Sequence, residues 1–348
     1  MTRLHKGALD KTPGATPVPM PRIQRETWVN WALLGLLLLA PMIANALGEV
    51  YYVNLATRIA IVTMAAVGLN LAIGYGGMIS FGHAAFFGLG GYVAGISAFH
   101  AFDMTPVLSW PITMPGTDNL LVIWLVAMLS CAVLALVIGA ISLRTSGVYF
   151  IMITLAFAQM IYYFAVSWPT YGGEDGLPIY LRNQFPGLDT NDPLTFFLIC
   201  FAALVLALAI TARLMQSRFG AALTMARLNE TRLATAGIAP YPIRLVAFVI
   251  SAVITGLAGA LFADLNGFVG ASMLSWHRSG EIMVIVILGG VGRLYGPLSG
   301  AMLFVLMETL LGGLTEYWLL FLGLILLFVV LFARGGVMGL LAGRARHE

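Results

Sequence analysis

NLLVIWLVAMLSCAVLALVIGAIS, residues 119–142, runs for 24 residues without one charged side chain. A helix rises about 1.5 Å per residue, so this stretch reaches about 36 Å, more than the roughly 30 Å hydrocarbon core of a bilayer. It has no polar side to turn toward water. Backbone groups in hydrocarbon must pair within their own segment, and the stretch lacks the polar/apolar alternation of a barrel strand, so it reads as a spanning helix. Comparable tracts cover about 29–48, 51–73, 84–102, 148–168, 193–213, 243–265, 296–313 and 316–333. Of the 348 residues 60% are hydrophobic and 9% charged, against roughly 25% charged in an ordinary soluble domain. The fold class is therefore an all-α polytopic membrane protein.

A tenth piece, EIMVIVILGGV at 281–291, is 11 residues long and reaches only about 17 Å as a helix. Charge decides whether it crosses. With the N-terminus inside and ten crossings, 15 of the 18 basic residues fall on inside segments, leaving Arg182 and Arg278 outside and Arg58 within the second span. Without that crossing Arg334, Arg344 and Arg346 would lie outside, against the positive-inside rule. About ten transmembrane helices, one short or broken and able to borrow length from Ser272–Ser279, with both termini cytoplasmic, is the expected topology. Residues 1–28 read as a disordered polar arm, 29–335 as the transmembrane domain and 336–348 as a cytoplasmic tail. The rival reading of the first tract is a signal peptide, with Ala44, Asn45 and Ala46 resembling a cleavage site. The outside loops 103–118 and 169–192 carry acids and would face an extracytoplasmic partner or solvent. The scattered basic residues form no nucleic-acid face, and Cys131 and Cys200 sit inside apolar tracts as packing residues.

Seven glycines fall between Gly74 and Gly91, and a second cluster lies at Gly289, Gly290, Gly292, Gly296 and Gly300. Dense glycine means either unwound backbone lining a path or helices packed backbone to backbone. Candidate path residues are Asn70, Gly74, Gly76, Gly77, His83, Gly289 and Gly290. Ionisable residues within spans are costly, and Arg58, Asp264, Glu281 and Glu308 are the ones present. Arg58 and Glu308 could pair across the two halves, while Asp264 and Glu281 lie near outer ends and could be hydrated.

Residues 217–237 differ from every other loop: helix formers follow Ser217, Gly237 closes them, and Pro240 and Pro242 come next. They read as one cytoplasmic helix with an apolar strip of Phe219, Leu223, Ala226 and Leu233, edged by Arg218, Arg227, Glu230 and Arg232. Such a helix suits a groove on a soluble partner or a membrane surface. Both lysines, Lys6 and Lys11, lie in the N-terminal arm, so no phosphate-cradling G-x-x-x-x-G-K-[ST] motif exists in the chain. Neither H-E-x-x-H nor G-x-S-x-G is present, so no catalytic residue, metal or cofactor is expected here.

Four blocks, GLNLAIGYGGMISFGHAAFFGLGGYVAG (68–95), GVYFIMITLAFAQMIYY with YGGEDGL (147–163, 171–177), SRFGAALTMARLNETRLATAGI (217–238) and GEIMVIVILGGVGRLYGPLSGA (280–301), together resemble the LivM-type permease of branched-chain amino acid ABC importers. The resemblance runs over about 50–335. It implies a bacterial inner-membrane subunit working with a LivH-like second permease, two LivG/LivF-like ATPases that hold ATP and Mg, and a periplasmic solute-binding protein. It also implies that residues 217–237 couple to the ATPases through Arg218, Arg227, Glu230 and Gly237. Glu230 and Gly237 resemble the acid and glycine of the wider importer loop, although Gly237 follows Glu230 by seven residues where that loop has six. Relatives in this family also move urea, short amides or aromatic compounds. A stand-alone secondary carrier or an intramembrane enzyme would be readings from another class.

Overall fold

A computed structural model of the chain describes residues 22–108, 114–180, 182–314, 316–332 and 335–342. In chain order the helices are α1 (Arg22–Ala46), α2 (Val50–Asn70), α3 (His83–Phe102), α4 (Leu120–Ser142), α5 (Val148–Val166), α6 (Pro193–Gln216), α7 (Arg218–Leu228), α8 (Glu230–Thr235), α9 (Pro240–Asn266), α10 (Trp276–Gly289), α11 (Gly296–Gly312), α12 (Trp318–Phe332) and α13 (Gly336–Ala342). Seven of them, α1 to α6 and α9, are long and apolar enough to cross a membrane, with α11 and α12 shorter. This is the all-α polytopic architecture that the apolar tracts require. Local chemistry sets several boundaries. Asn119 Oδ1 accepts from the Leu121 amide at 3.0 Å to open α4, and Asp192 accepts from the Thr195 amide at 3.0 Å with Pro193 opening α6. The Thr195 hydroxyl and amide hold the Asp192 carboxyl below its ordinary range. Gly267 in the left-handed region, φ +61°, ends α9.

Helix α9 is the hub, with α2, α3 and α4 packed around it. Glycine lets the backbones meet. A Cβ at Gly90 would lie 1.9 Å from the Gly256 carbonyl oxygen, and one at Gly259 only 1.7 Å from that of Phe87. The glycine-rich stretch both packs and unwinds: Gly88–Gly91 pack, while α2 ends in a π turn at Leu71–Tyr75 and residues 78–82 are unwound. In its most apolar window α2 is 89% buried, against 28% for α4 and 22% for α5, so the latter two form the rim.

The two ends of the bundle are told apart by their contacts. At one end Leu177–Pro178 pairs antiparallel with Phe268–Val269, and His100 bonds Tyr171 at 3.0 Å. At the other, which carries α7, Gly292 and Arg293 bond Asn70, and Tyr241 bonds the Ala140 carbonyl at 3.0 Å. The chain returns from the strand pair toward the second end by way of a 3-10 turn at Ala271–Leu274 and α10, which starts at Trp276 rather than 281 and has its first turn beside the start of α3.

Three expectations need correction. Residues 22–28, placed in the disordered arm, belong to α1, whose helix starts at Arg22; residues 1–21 lie outside the described residues, as do 343–348, while α13 occupies the start of the expected tail. The single helix at 217–237 is two, because Asn229 is extended and its side chain accepts from the Arg232 amide at 3.0 Å, capping a new helix. Asp264 is buried, not hydrated: its carboxylate accepts from Asn183 Nδ2 at 2.6 Å, and its backbone carbonyl accepts from Arg182 Nε at 3.2 Å.

Candidate functional site

At the α7 end three chain segments far apart in sequence meet. Asn70, the last residue of α2, is buried and clamps the turn after α10: its Nδ2 donates to the Arg293 carbonyl and its Oδ1 accepts from the Gly292 amide, each at 2.9 Å. Beyond it the π turn carries its own bonds, Gly76 N to Leu71 O and Gly77 N to Ile73 O, both 3.1 Å. A π turn leaves carbonyls of the preceding backbone differently aimed from an α-helix. The Gly74 carbonyl receives Arg227 Nη1, so α7 is bonded directly to the place where α2 unwinds. The stem of Arg227 lies along Gly77, where a Cβ would come 2.9 Å from Arg227 Cγ and the φ of +68° is itself a left-handed one.

The second glycine cluster completes the junction. A Cβ at Gly289 would meet the Gly296 carbonyl oxygen at 1.9 Å, which sets the close approach of α10 and α11. Gly290 and Gly292 take φ of +118° and +78° in the turn between them. Arg293, buried at 7% exposure, donates from Nη1 to the Met338 carbonyl at 3.0 Å and ties α13 to the same turn. Ser279 on α10 bridges the unwound stretch to α3, donating to the Phe81 carbonyl at 2.7 Å while accepting from the Ala84 amide at 2.8 Å.

Asn70, Gly74, Gly76, Gly77, Gly289, Gly290 and Arg227 thus lie in one contiguous neighbourhood. His83 lies apart from them in the core, fully buried, with Nε2 2.7 Å from Ser251 Oγ, which in turn donates to the Gly68 carbonyl at 2.6 Å. Its ring is edge-on to Phe86 and Phe248. Arg218 and Gly237 are exposed on the surface of the α7–α8 pair, and Glu230 is paired with Arg244 at the start of α9. Arg244 also donates to the Ala226 carbonyl at 3.1 Å, anchoring α7.

The apolar strip is a further correction. Leu223, Ala226 and Leu233 are fully buried and Phe219 is partly so, which turns that face onto the chain's own bundle. The exposed apolar residues are Ala221, Met225 and Leu228, spaced at four and three along α7. An amphipathic pattern shows that a face is apolar and leaves open what it packs on. Arg293, Ser279, Ser251 and Arg244 were not singled out as site residues from the sequence; Arg293 and Arg244 carried a signal as inside charges, and the two serines carried none. Arg58 and Glu308 do pair, Nη2 lying 2.7 and 2.9 Å from the two carboxylate oxygens. The described residues bring together no group of three or more His, Cys, Asp or Glu side chains placed to hold a metal.

Comparison with known proteins gives the family of the chain. Residues 51–330 match the family model described as "Branched-chain amino acid transport system / permease component". The chain is 26% identical over 310 residues to the high-affinity branched-chain amino acid transport system permease protein LivM of Escherichia coli (strain K12), covering 82% of this chain and 69% of that protein. The LivM protein of Salmonella typhimurium (strain LT2) matches with the same identity and coverage. No solved structure matches the chain significantly. With the model spanning α2 to α12, and so both glycine clusters and the α7–α8 pair, the chain belongs to the family of branched-chain amino acid transport system permease components.

Proposed function

We propose that the chain is the transmembrane permease subunit of an ATP-driven importer for branched-chain or other hydrophobic amino acids, forming half of the translocation pathway. The observation that carries this reading is the bond from Arg227 to the Gly74 carbonyl. A rigid-body push on the exposed face of α7 would reach the unwound end of α2 through one guanidinium, and through Asn70 the turn between α10 and α11. The surface offered to the ATPases is the α7–α8 pair with Ala221, Met225 and Leu228 as its apolar centre and Arg218, Glu230 and Gly237 around it. ATP and Mg belong to two LivG/LivF-like partners, a LivH-like permease completes the path, and a periplasmic binding protein delivers the solute to the opposite end. Asn70, Gly74, Gly76, Gly77, Gly289 and Gly290 form the hinge on which the path opens. What supports the whole assembly is the family membership and the placement of an exposed helix pair on the conversion point of α2.

Both termini and the α7 end are expected to face the cytoplasm. Cys131 and Cys200 are buried, so a single introduced cysteine can report sidedness. Leu228 is 78% exposed at the α7 end and Tyr180 is 70% exposed at the opposite one. Leu228→Cys should react with a membrane-impermeant thiol reagent only from the cytoplasmic side, and Tyr180→Cys only from the other. Labelling of Leu228→Cys from outside would remove the basis for coupling to a cytoplasmic ATPase.

A further inference from the structure

Between α2, α3, α10 and α11 lies a gap of about 10 Å³, about what one water molecule needs, lined by Arg58, Glu308, Arg278 and Glu281 with Phe87 and Phe304 among its apolar walls. Arg58 pairs with Glu308 at 2.7 Å and Arg278 with Glu281 at 2.6 Å, so the four charges cancel. Arg278 also stands over the rings of Phe262 and Phe87, 5.0 and 5.7 Å from their centroids. The pairs are not sealed in the chain: their side chains are 22–39% exposed. Arg58 is eight residues into α2, about 12 Å along it. Charges at such depth turn toward a water-filled passage or protein rather than lipid.

We propose that this four-charge gap is a solute subsite on the passage, selective for zwitterions with an apolar side chain. It rests on the transport reading above and adds where the chain itself senses the solute. The gap is too small to hold an amino acid while the pairs are closed. Parting Arg58 from Glu308 leaves two unneutralised ions in a poorly hydrated place, which is costly unless something replaces each partner. An amino acid does both at once: its carboxylate takes a guanidinium and its ammonium takes a carboxylate. A neutral or singly charged solute leaves at least one ion without a partner. The walls of Val62, Phe87 and Phe304 then receive an aliphatic side chain.

The test uses the complete importer. Without binding protein, the detergent-purified complex should bind labelled leucine, and valine should compete at least tenfold better than isovalerate or isopentylamine, which carry one charge each. In proteoliposomes with saturating binding protein, the double variant Arg58→Met with Glu308→Leu should assemble with a similar Tm, since an apolar pair of similar volume often replaces an ion pair away from bulk water with little loss, yet take up leucine at least tenfold more slowly. Arg58→Lys, which keeps the charge, should retain most uptake. Uptake by the double variant within twofold of the parent overturns the subsite and leaves a purely structural pair. If the double variant does not assemble, the competition series on the unaltered complex decides, and equal competition by the singly charged compounds overturns the proposal. An unaltered complex that takes up no amino acid removes the transport reading together with this subsite, so the two failures are distinct.

Discussion

Gly259→Ala is expected to cost the permease its assembled form. The added methyl would sit 1.7 Å from the Phe87 carbonyl oxygen and 2.6 Å from the carbonyl carbon. Both are backbone atoms of α3 and have no rotamer through which to withdraw, so α3 and α9 must move apart. Overpacking a core typically costs about 1–3 kcal/mol, and contacts with backbone belong at or above the top of that range. The damage also spreads, because the same interface holds Gly90 against Gly256 and His83 against Ser251. Solubilised membranes analysed by size exclusion should show the variant mostly aggregated, or folded with a Tm lower by several degrees. Gly323→Ala is the control: nothing lies within 4 Å of its Cβ position on α12, and alanine is the better helix former. It should match the parent.

The second large effect is expected at Arg227→Glu. This change removes the donor to the Gly74 carbonyl and sets a carboxylate beside carbonyl oxygens at the end of the π turn. A hydrogen bond to a charged group contributes about 1.5–3 kcal/mol, roughly ten- to hundredfold in a two-state equilibrium. Leucine uptake by the reconstituted importer should therefore fall at least tenfold while its ATP hydrolysis continues, the signature of an uncoupled complex. Arg227→Lys keeps a cation near the carbonyl and should fall between the two. Equal losses of hydrolysis and uptake would mean that Arg227 holds the subunits together instead of transmitting motion.

Much of the fold was legible because lipid makes the sequence signal strong. The stretch at 119–142 has no polar side, and its helix, Leu120–Ser142, begins one residue later than the apolar tract. Helix α10 was legible only in part: its apolar stretch at 281–291 stood out, while its first turn, Trp276–Gly280, carries polar residues that hide it from a hydropathy reading. The candidate site was visible as glycine clusters at 74–91 and 289–300, but the meeting of Gly74 with the turn at Gly292 was not, because it depends on Asn70 reaching a turn more than 220 residues away. The break at Asn229 was readable in principle: Asn followed by Glu-Thr-Arg is a capping sequence, and it was submerged in a longer run of helix formers. The apolar strip of Phe219, Leu223, Ala226 and Leu233 was legible, but what it packs on was not, since the same pattern serves a partner's groove, a membrane surface or the chain's own bundle.

The most direct test of the central claim is solute accumulation by defined proteoliposomes. Vesicles holding this chain with the second permease and the two ATPases, supplied with binding protein outside, should accumulate labelled leucine when hydrolysable ATP is enclosed and fail to do so with a non-hydrolysable analogue. Vesicles holding this chain alone should accumulate none under any ion or proton gradient. Gradient-driven accumulation by the chain alone would contradict the claim that its motion is supplied by a separate ATP-hydrolysing partner acting through α7.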